Sequence, residues 1–213
     1  MTSMPERLLR GIAGGNLSDP DDDATATTIA DAALRQFELF GMVRATIDDI
    51  ARRANVSRVT VYRRFPGKDA LIDAVALREL QRFLRDLDNA TEGLNDTDEM
   101  IVEGFVFTLH AMRSHRLLQR LLESEPETLL PHLTVDGAPF IATARDYLVS
   151  KVHYLPGGET RDVEEFRTIA EIVVRLVLSY LLTPQTTVDL DDPAQARAFA
   201  RRYLRPLLIG DPT

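Results

Sequence analysis

Between Thr46 and Gly67 the chain carries two short apolar stripes, Ile47, Ile50, Ala51 and Ala54, then Val56, Val61 and Phe65, with Asn55 between them. Spacing of three and four places each stripe on one face of a helix. Asparagine tolerates the left-handed backbone of a tight interhelical turn better than other residues with a side chain. Thr46 is suited to cap the first helix, with Asp49 three residues on as a weaker capping-box acid. Ser57 is suited to cap the second, and Pro66-Gly67 ends it. Two short helices joined by such a turn, apolar residues inward, describe a helix-turn-helix.

The same stretch concentrates positive charge. Residues 44–68 hold Arg44, Arg52, Arg53, Arg58, Arg63, Arg64 and Lys68 against only Asp48 and Asp49, a local charge of +5. Residues 1–43 carry −4 and residues 69–213 carry −9, which sum to the chain's −8. A total of −8 alone argues against a polyanionic partner. Its distribution argues the opposite, because burying the two stripes pushes the cations outward on one surface. The second helix is then suited to the DNA major groove, which admits one α-helix. Arg58 is a candidate for bidentate reading of guanine, and Val59 or Thr60 for contact with a thymine methyl. Ser57, Tyr62, Arg64 and Lys68 suit phosphates, and Arg63 suits either. With Thr46 at the head of the first helix, these residues form the candidate DNA-binding set.

The rest of the chain reads as helix. Ile29, Ala32, Ala33, Phe37 and Phe40 mark an amphipathic helix over 25–40 that Gly41 ends. Further helices are expected at 69–89, 98–113, 115–123, 125–133, 139–154, 161–182 and 193–209, with no strand-like alternation. The expected fold class is all-α: a flexible arm over 1–23, a three-helix helix-turn-helix domain over 24–68, and a second helical domain over 69–213. Apolar residues make up 45% of the chain, enough for a substantial core.

Several chemistries are excluded or unsupported. There is no cysteine, hence no disulfide, thiolate nucleophile or zinc finger. No nucleophile elbow, Walker loop or zincin motif occurs, so neither an enzyme nor a cofactor is expected. His110, His115, His132 and His153 lack metal-ligand spacing, and a capping or surface role is expected at His110 and His115. Ile169–Leu182 is too short and too charged to span a bilayer, and no stretch of signal-peptide length is visible, which predicts a cytoplasmic protein without membrane contact. Phe105, Leu109, His110, Phe140, Tyr147 and Phe166 are candidates for lining a pocket for a small, mainly apolar molecule.

The stretch from Thr46 to Asp69, Thr-Ile-Asp-Asp-Ile-Ala-Arg-Arg-Ala-Asn-Val-Ser-Arg-Val-Thr-Val-Tyr-Arg-Arg-Phe-Pro-Gly-Lys-Asp, resembles the DNA-binding core of TetR/AcrR-type transcriptional regulators. The resemblance runs from about Ile29 to Leu80. It includes Ala33, Phe37 and Gly41 at the end of the first helix, Thr60 to Phe65, and Lys68. Asn55 departs from the family, which usually has glycine there. The resemblance implies a homodimer whose N-terminal helices bind half-sites of a double-stranded, palindromic DNA operator. The resemblance also makes 69–213 a regulatory and dimerisation domain, whose helices would bind a small-molecule effector, with 161–182 and 193–209 forming the dimer interface. A different class of function, a helical protein-interaction module that keeps the fold without specific DNA binding, is the alternative.

Overall fold

The computed structural model describes residues 24–94, 96–153 and 163–209, and all regular structure within them is helical. The expected arm over 1–23 lies outside the described residues, as does the stretch between the helices expected at 139–154 and 161–182. The chain forms two compact units. Of the described residues, one consists of those up to Arg82 together with His115–Asp136, the other of Phe83–Ser114 together with those from Gly137 on.

In the first unit, α1 (Ala24–Arg44) packs on α2 (Ile47–Arg53), and α2 on α3 (Arg58–Arg64). The unit continues into α4 (Lys68–Thr91), whose residues up to Arg82 belong to it, and takes in α6 (Arg116–Ser124) and α7 (Pro126–Leu133). It therefore includes two helices from the segment that the sequence assigns to regulation. Ile29, Phe37, Ile50, Val61, Leu71 and Val75 are essentially solvent-free at its centre, closed by Leu117 and Leu121 of α6. Each such side chain contributes about 1.5–3 kcal/mol on burial.

One apolar position differs from its expected place. Phe40 is 51% exposed, while Met42 is buried. The backbone leaves helical geometry at Gly41 (φ 83°, ψ 168°), and this reversal turns Met42 rather than Phe40 into the core. Helix α6 is N-capped by His115, whose Nδ1 accepts the Leu118 N–H at 3.2 Å and whose Nε2 lies 3.3 Å from Glu79 Oε2. With the Nδ1 lone pair so used, the ring proton sits on Nε2 and points at the carboxylate. The imidazole holds the Glu79 carboxyl below the ordinary range against the opposing effect of burial, with Arg82 and Arg78 adding to it.

The second unit comprises the end of α4, α5 (Thr97–Ser114), α8 (Ala138–His153), α9 (Val163–Leu182) and a terminal run. That run is α10 (Pro193–Phe199), a π-helical turn at Ala200–Leu204, and α11 (Arg205–Ile209). Val102, Phe105 and Leu109 of α5 pack with Val177 of α9 and with Ala196, Ala200 and Leu204 of the terminal run. Phe199 lies against Phe105 and takes the Tyr180 ring edge-on, at centroid distances of 5.9 and 5.6 Å. Arg197 grips Glu103 with two nitrogens at 2.6 and 2.9 Å, fixing the terminal run to α5.

Candidate nucleic-acid interface

The helix-turn-helix is built by its caps. Thr46 Oγ1 accepts the Asp49 N–H at 3.2 Å and donates to Asp49 Oδ2 at 2.6 Å, so the hydroxyl is engaged in both senses at the start of α2. At the other end, Asn55 takes φ 54°. The Val56 N–H reaches the Ala51 carbonyl at 3.0 Å and the Asn55 N–H the Arg52 carbonyl at 3.3 Å. These two bonds form a Schellman motif with asparagine in the position glycine usually fills. Val56 then packs against the core. Ser57 Oγ accepts the Thr60 N–H at 3.0 Å and caps α3.

Val61 is the residue of α3 that turns fully inward, and its rotation fixes which residues face out. Arg58, Val59, Tyr62, Arg63 and Arg64 are all exposed, Val59 at 76%. Arg44, Arg52 and Arg53 are exposed as well. Val59, an apolar residue on the outward face of α3, has the shape to meet a thymine methyl. Thr60 is half-buried, with its hydroxyl 2.8 Å from Ser57 Oγ. Lys68 Nζ donates to the Val43 carbonyl at 2.8 Å, tying the start of α4 to the end of α1 and leaving two further ammonium donors.

Two contacts in this unit have no counterpart in the sequence pattern. Asp48 Oδ1 lies 2.6 Å from Arg58 Nε, joining α2 to α3 across the turn. The second is the buried Glu125, which precedes α7 and makes no cap bond to it. Its carboxylate accepts the Met42 N–H at 2.9 Å and the Val43 N–H at 3.1 Å. The pairs are separated by 10 and by more than 80 positions, so neither has a local spacing that reveals it.

The six candidates for an effector pocket, all in the second unit, fall in different surroundings. Phe105 and Leu109 are buried in the cluster with Val177 and Leu204. Phe166 is buried in another, with Val173, Ile101, Leu148 and Val149. Phe140 is half-buried and His110 is exposed. Tyr147 donates its hydroxyl to Asp88 Oδ1 at 2.7 Å, and Lys151 lies 2.6 Å from the same oxygen. Burial, then the Asp88 carboxylate, pushes the Tyr147 phenol upward from its ordinary value. Among the described residues no three His, Asp or Glu are grouped to hold a metal, and no helix is long and apolar enough to cross a membrane.

The chain was compared with known families, relatives and structures. Residues 29–75 match the family model described as bacterial regulatory proteins, tetR family. Residues 96–202, half of the chain, match that of the bacterial tetracyclin repressor, C-terminal domain. The chain is 27% identical over 142 residues to the HTH-type transcriptional regulator AlkX of Mycobacterium tuberculosis (strain ATCC 25618 / H37Rv), which covers 65% of this chain and 66% of that one. Its alignments span 43% to 66% of the first curated relatives it matches. Its fold is similar to that of the TetR family repressor AlkX from Dietzia sp. strain DQ12-45-1b, implicated in biodegradation of n-alkanes. There the TM-score is 0.62 at 22% identity, covering 85% of this chain and 96% of that one. The fatty acid degradation regulator FadR from Bacillus halodurans has a TM-score of 0.53 at 17% identity, covering 88% and 95%. With both of its units matched by the family's own models and its first unit built around a capped helix-turn-helix, the chain belongs to the TetR family of DNA-binding transcriptional regulators.

Proposed function

We propose that this protein is a ligand-responsive repressor that binds a palindromic operator as a homodimer and leaves it when a small, mainly apolar effector binds. The observation that carries the DNA reading is the outward face of α3, where Arg58, Val59, Tyr62, Arg63 and Arg64 stand exposed around a fully buried Val61. Arg58 and Val59 read bases; Ser57, Tyr62, Arg64 and Lys68 hold phosphates, with Thr46 at the edge of the same face. Dimerisation involves α9 and the terminal run, where Ile172, Tyr203 and Leu207 are large apolar residues left 40–51% exposed. A stable two-fold interface there buries more than roughly 1,000 Å².

The effector enters the second unit among α5, α8 and α9. Phe105, Leu109, Phe140 and Phe166 supply apolar surface, and Tyr147 a hydroxyl. The names of the similar proteins, one tied to n-alkane biodegradation and one to fatty acid degradation, support an aliphatic molecule. The effector changes operator affinity only by binding one arrangement of the two reading heads better than the other.

Fluorescence anisotropy with a palindromic duplex from the region upstream of its own gene tests the reading. Wild-type binding should weaken steeply with salt, and Arg58→Ala and Tyr62→Ala should each weaken it further. Unchanged affinity in both variants would overturn the assignment.

A further inference from the structure

We propose that Asp48 is a positioning residue for base recognition: by holding the Nε edge of Arg58, it commits the two terminal amino groups of that guanidinium to the base. The inference rests on the DNA-binding reading above. Its observation is the 2.6 Å approach of Asp48 Oδ1 to Arg58 Nε. A guanidinium offers two ways of donating a pair of hydrogen bonds, sideways through Nε and one terminal nitrogen, or end-on through both terminal nitrogens. A carboxylate oxygen ion-paired at Nε repels any further acceptor from that edge and so disfavours the sideways mode. The end-on fork remains, and it matches the O6 and N7 acceptors of guanine.

The surroundings argue that this pair exists for recognition. Both partners are largely exposed, at 61% and 56%. Exposed pairs contribute little to stability, so holding the helices together is a weak reason for it. Asp49, the other acid of the basic stretch, is engaged elsewhere, with Thr46 Oγ1 and with Arg52. A carboxylate on a surface that faces phosphates weakens binding to any duplex, whatever its sequence. Asp48 therefore reduces general affinity while it orients the side chain that discriminates. Without it, Arg58 swings freely and reaches a phosphate as readily as a base.

The test uses the full-length chain and a library of randomised duplexes. Selection with wild type yields a preferred sequence, and Arg58→Ala identifies the G·C pair whose preference depends on Arg58. Affinities of Asp48→Asn and Asp48→Ala are then measured on that duplex and on one with the pair changed to A·T. The preference for G·C should fall about five- to tenfold. Binding to the A·T duplex should be equal or tighter, with a salt slope steeper by about 0.9 as Arg58 moves to phosphate. Asp48→Glu should recover part of the preference, and thermal midpoints should match wild type. An unchanged preference in both variants overturns the proposal, as does an equal loss of affinity on both duplexes, which would mark Asp48 as merely structural. Absence of any salt-dependent binding by wild type would instead overturn the DNA-binding reading itself.

Discussion

The carboxylate of Glu125 occupies the space where Gly41 would carry a side chain: a Cβ built on Gly41 stands 2.0 Å from Glu125 Oε1. Gly41 is also in the left-handed region, at φ 83°. Two requirements therefore fall on one position. The backbone has to reverse there, and it has to admit an oxygen that accepts the next two N–H groups. Those N–H groups follow the break in α1 at Gly41, and Glu125 supplies an acceptor for them from a distant part of the chain. Helices α6 and α7 are in this way bonded to the scaffold on which the reading helices rest.

Replacing Gly41 by alanine adds both a clash and backbone strain. The expected destabilisation is about 2–4 kcal/mol, drawn from the cost of a non-glycine residue at positive φ and of displacing a buried carboxylate. Thermal unfolding followed by circular dichroism should show a midpoint lower by roughly 5–15 °C. A midpoint equal to that of wild type would contradict the geometry.

Glu125→Ala removes the acceptor and leaves the buried Met42 N–H unsatisfied, at a cost of about 1–3 kcal/mol. Hydrogen exchange at Met42 and Val43 should accelerate more than at the α9 amides. Glu125→Gln keeps one carbonyl oxygen and should fall between the two. Equal protection of the two amides in wild type and Glu125→Ala would show that the carboxylate does not hold them.

Glu79 makes part of the stability pH-dependent. Its carboxyl is held below the ordinary value by His115 first, with burial opposing and Arg82 and Arg78 adding to the lowering. A depressed folded-state value stabilises the fold at pH above the unfolded value of about 4.3 and is lost as pH falls through the folded value. Denaturant unfolding over that acidic range should therefore show a shallower pH dependence for Glu79→Gln than for wild type. Superimposable profiles would exclude the contribution.

Tyr147 should titrate late. Burial, then its hydrogen bond to Asp88, raises the phenol above the usual value of about 10. Phenolate absorbance during an alkaline titration should show one of the five tyrosines ionising after the rest. Tyr147→Phe should abolish that late phase and no other. A late phase surviving in Tyr147→Phe would assign it to another residue.

Lys68 has two connections to separate. Lys68→Ala removes a phosphate contact and should lower the salt slope of DNA binding by about 0.9. It also removes the bond to the Val43 carbonyl, so the thermal midpoint should fall slightly. Loss in affinity should be similar on selected and unrelated duplexes, since phosphates carry no sequence information. A loss confined to the selected duplex would make Lys68 a reader of bases.

Local rules are enough to place the helices and the turn. The Thr46 and Ser57 caps, the left-handed Asn55, the buried Val61 and the capping His115 all follow from residue type and spacing within one or two turns of chain. A cap's partner is three residues away, and an amphipathic face repeats every three or four, so these features are written in adjacent residues. The net charge of −8 likewise resolves into a basic stretch and two acidic ones by position alone. Tertiary structure decided what spacing does not encode. It turned Met42 inward and Phe40 outward at the Gly41 reversal, bonded Tyr147 to Asp88, and spread the six pocket candidates over different surroundings. It also joined Asp48 to Arg58 and placed Glu125 under Gly41. A carboxylate's partner is whatever N–H or cation the packed helices bring within about 3 Å. That meeting is set by the crossing of whole helices, and no period in the sequence records it.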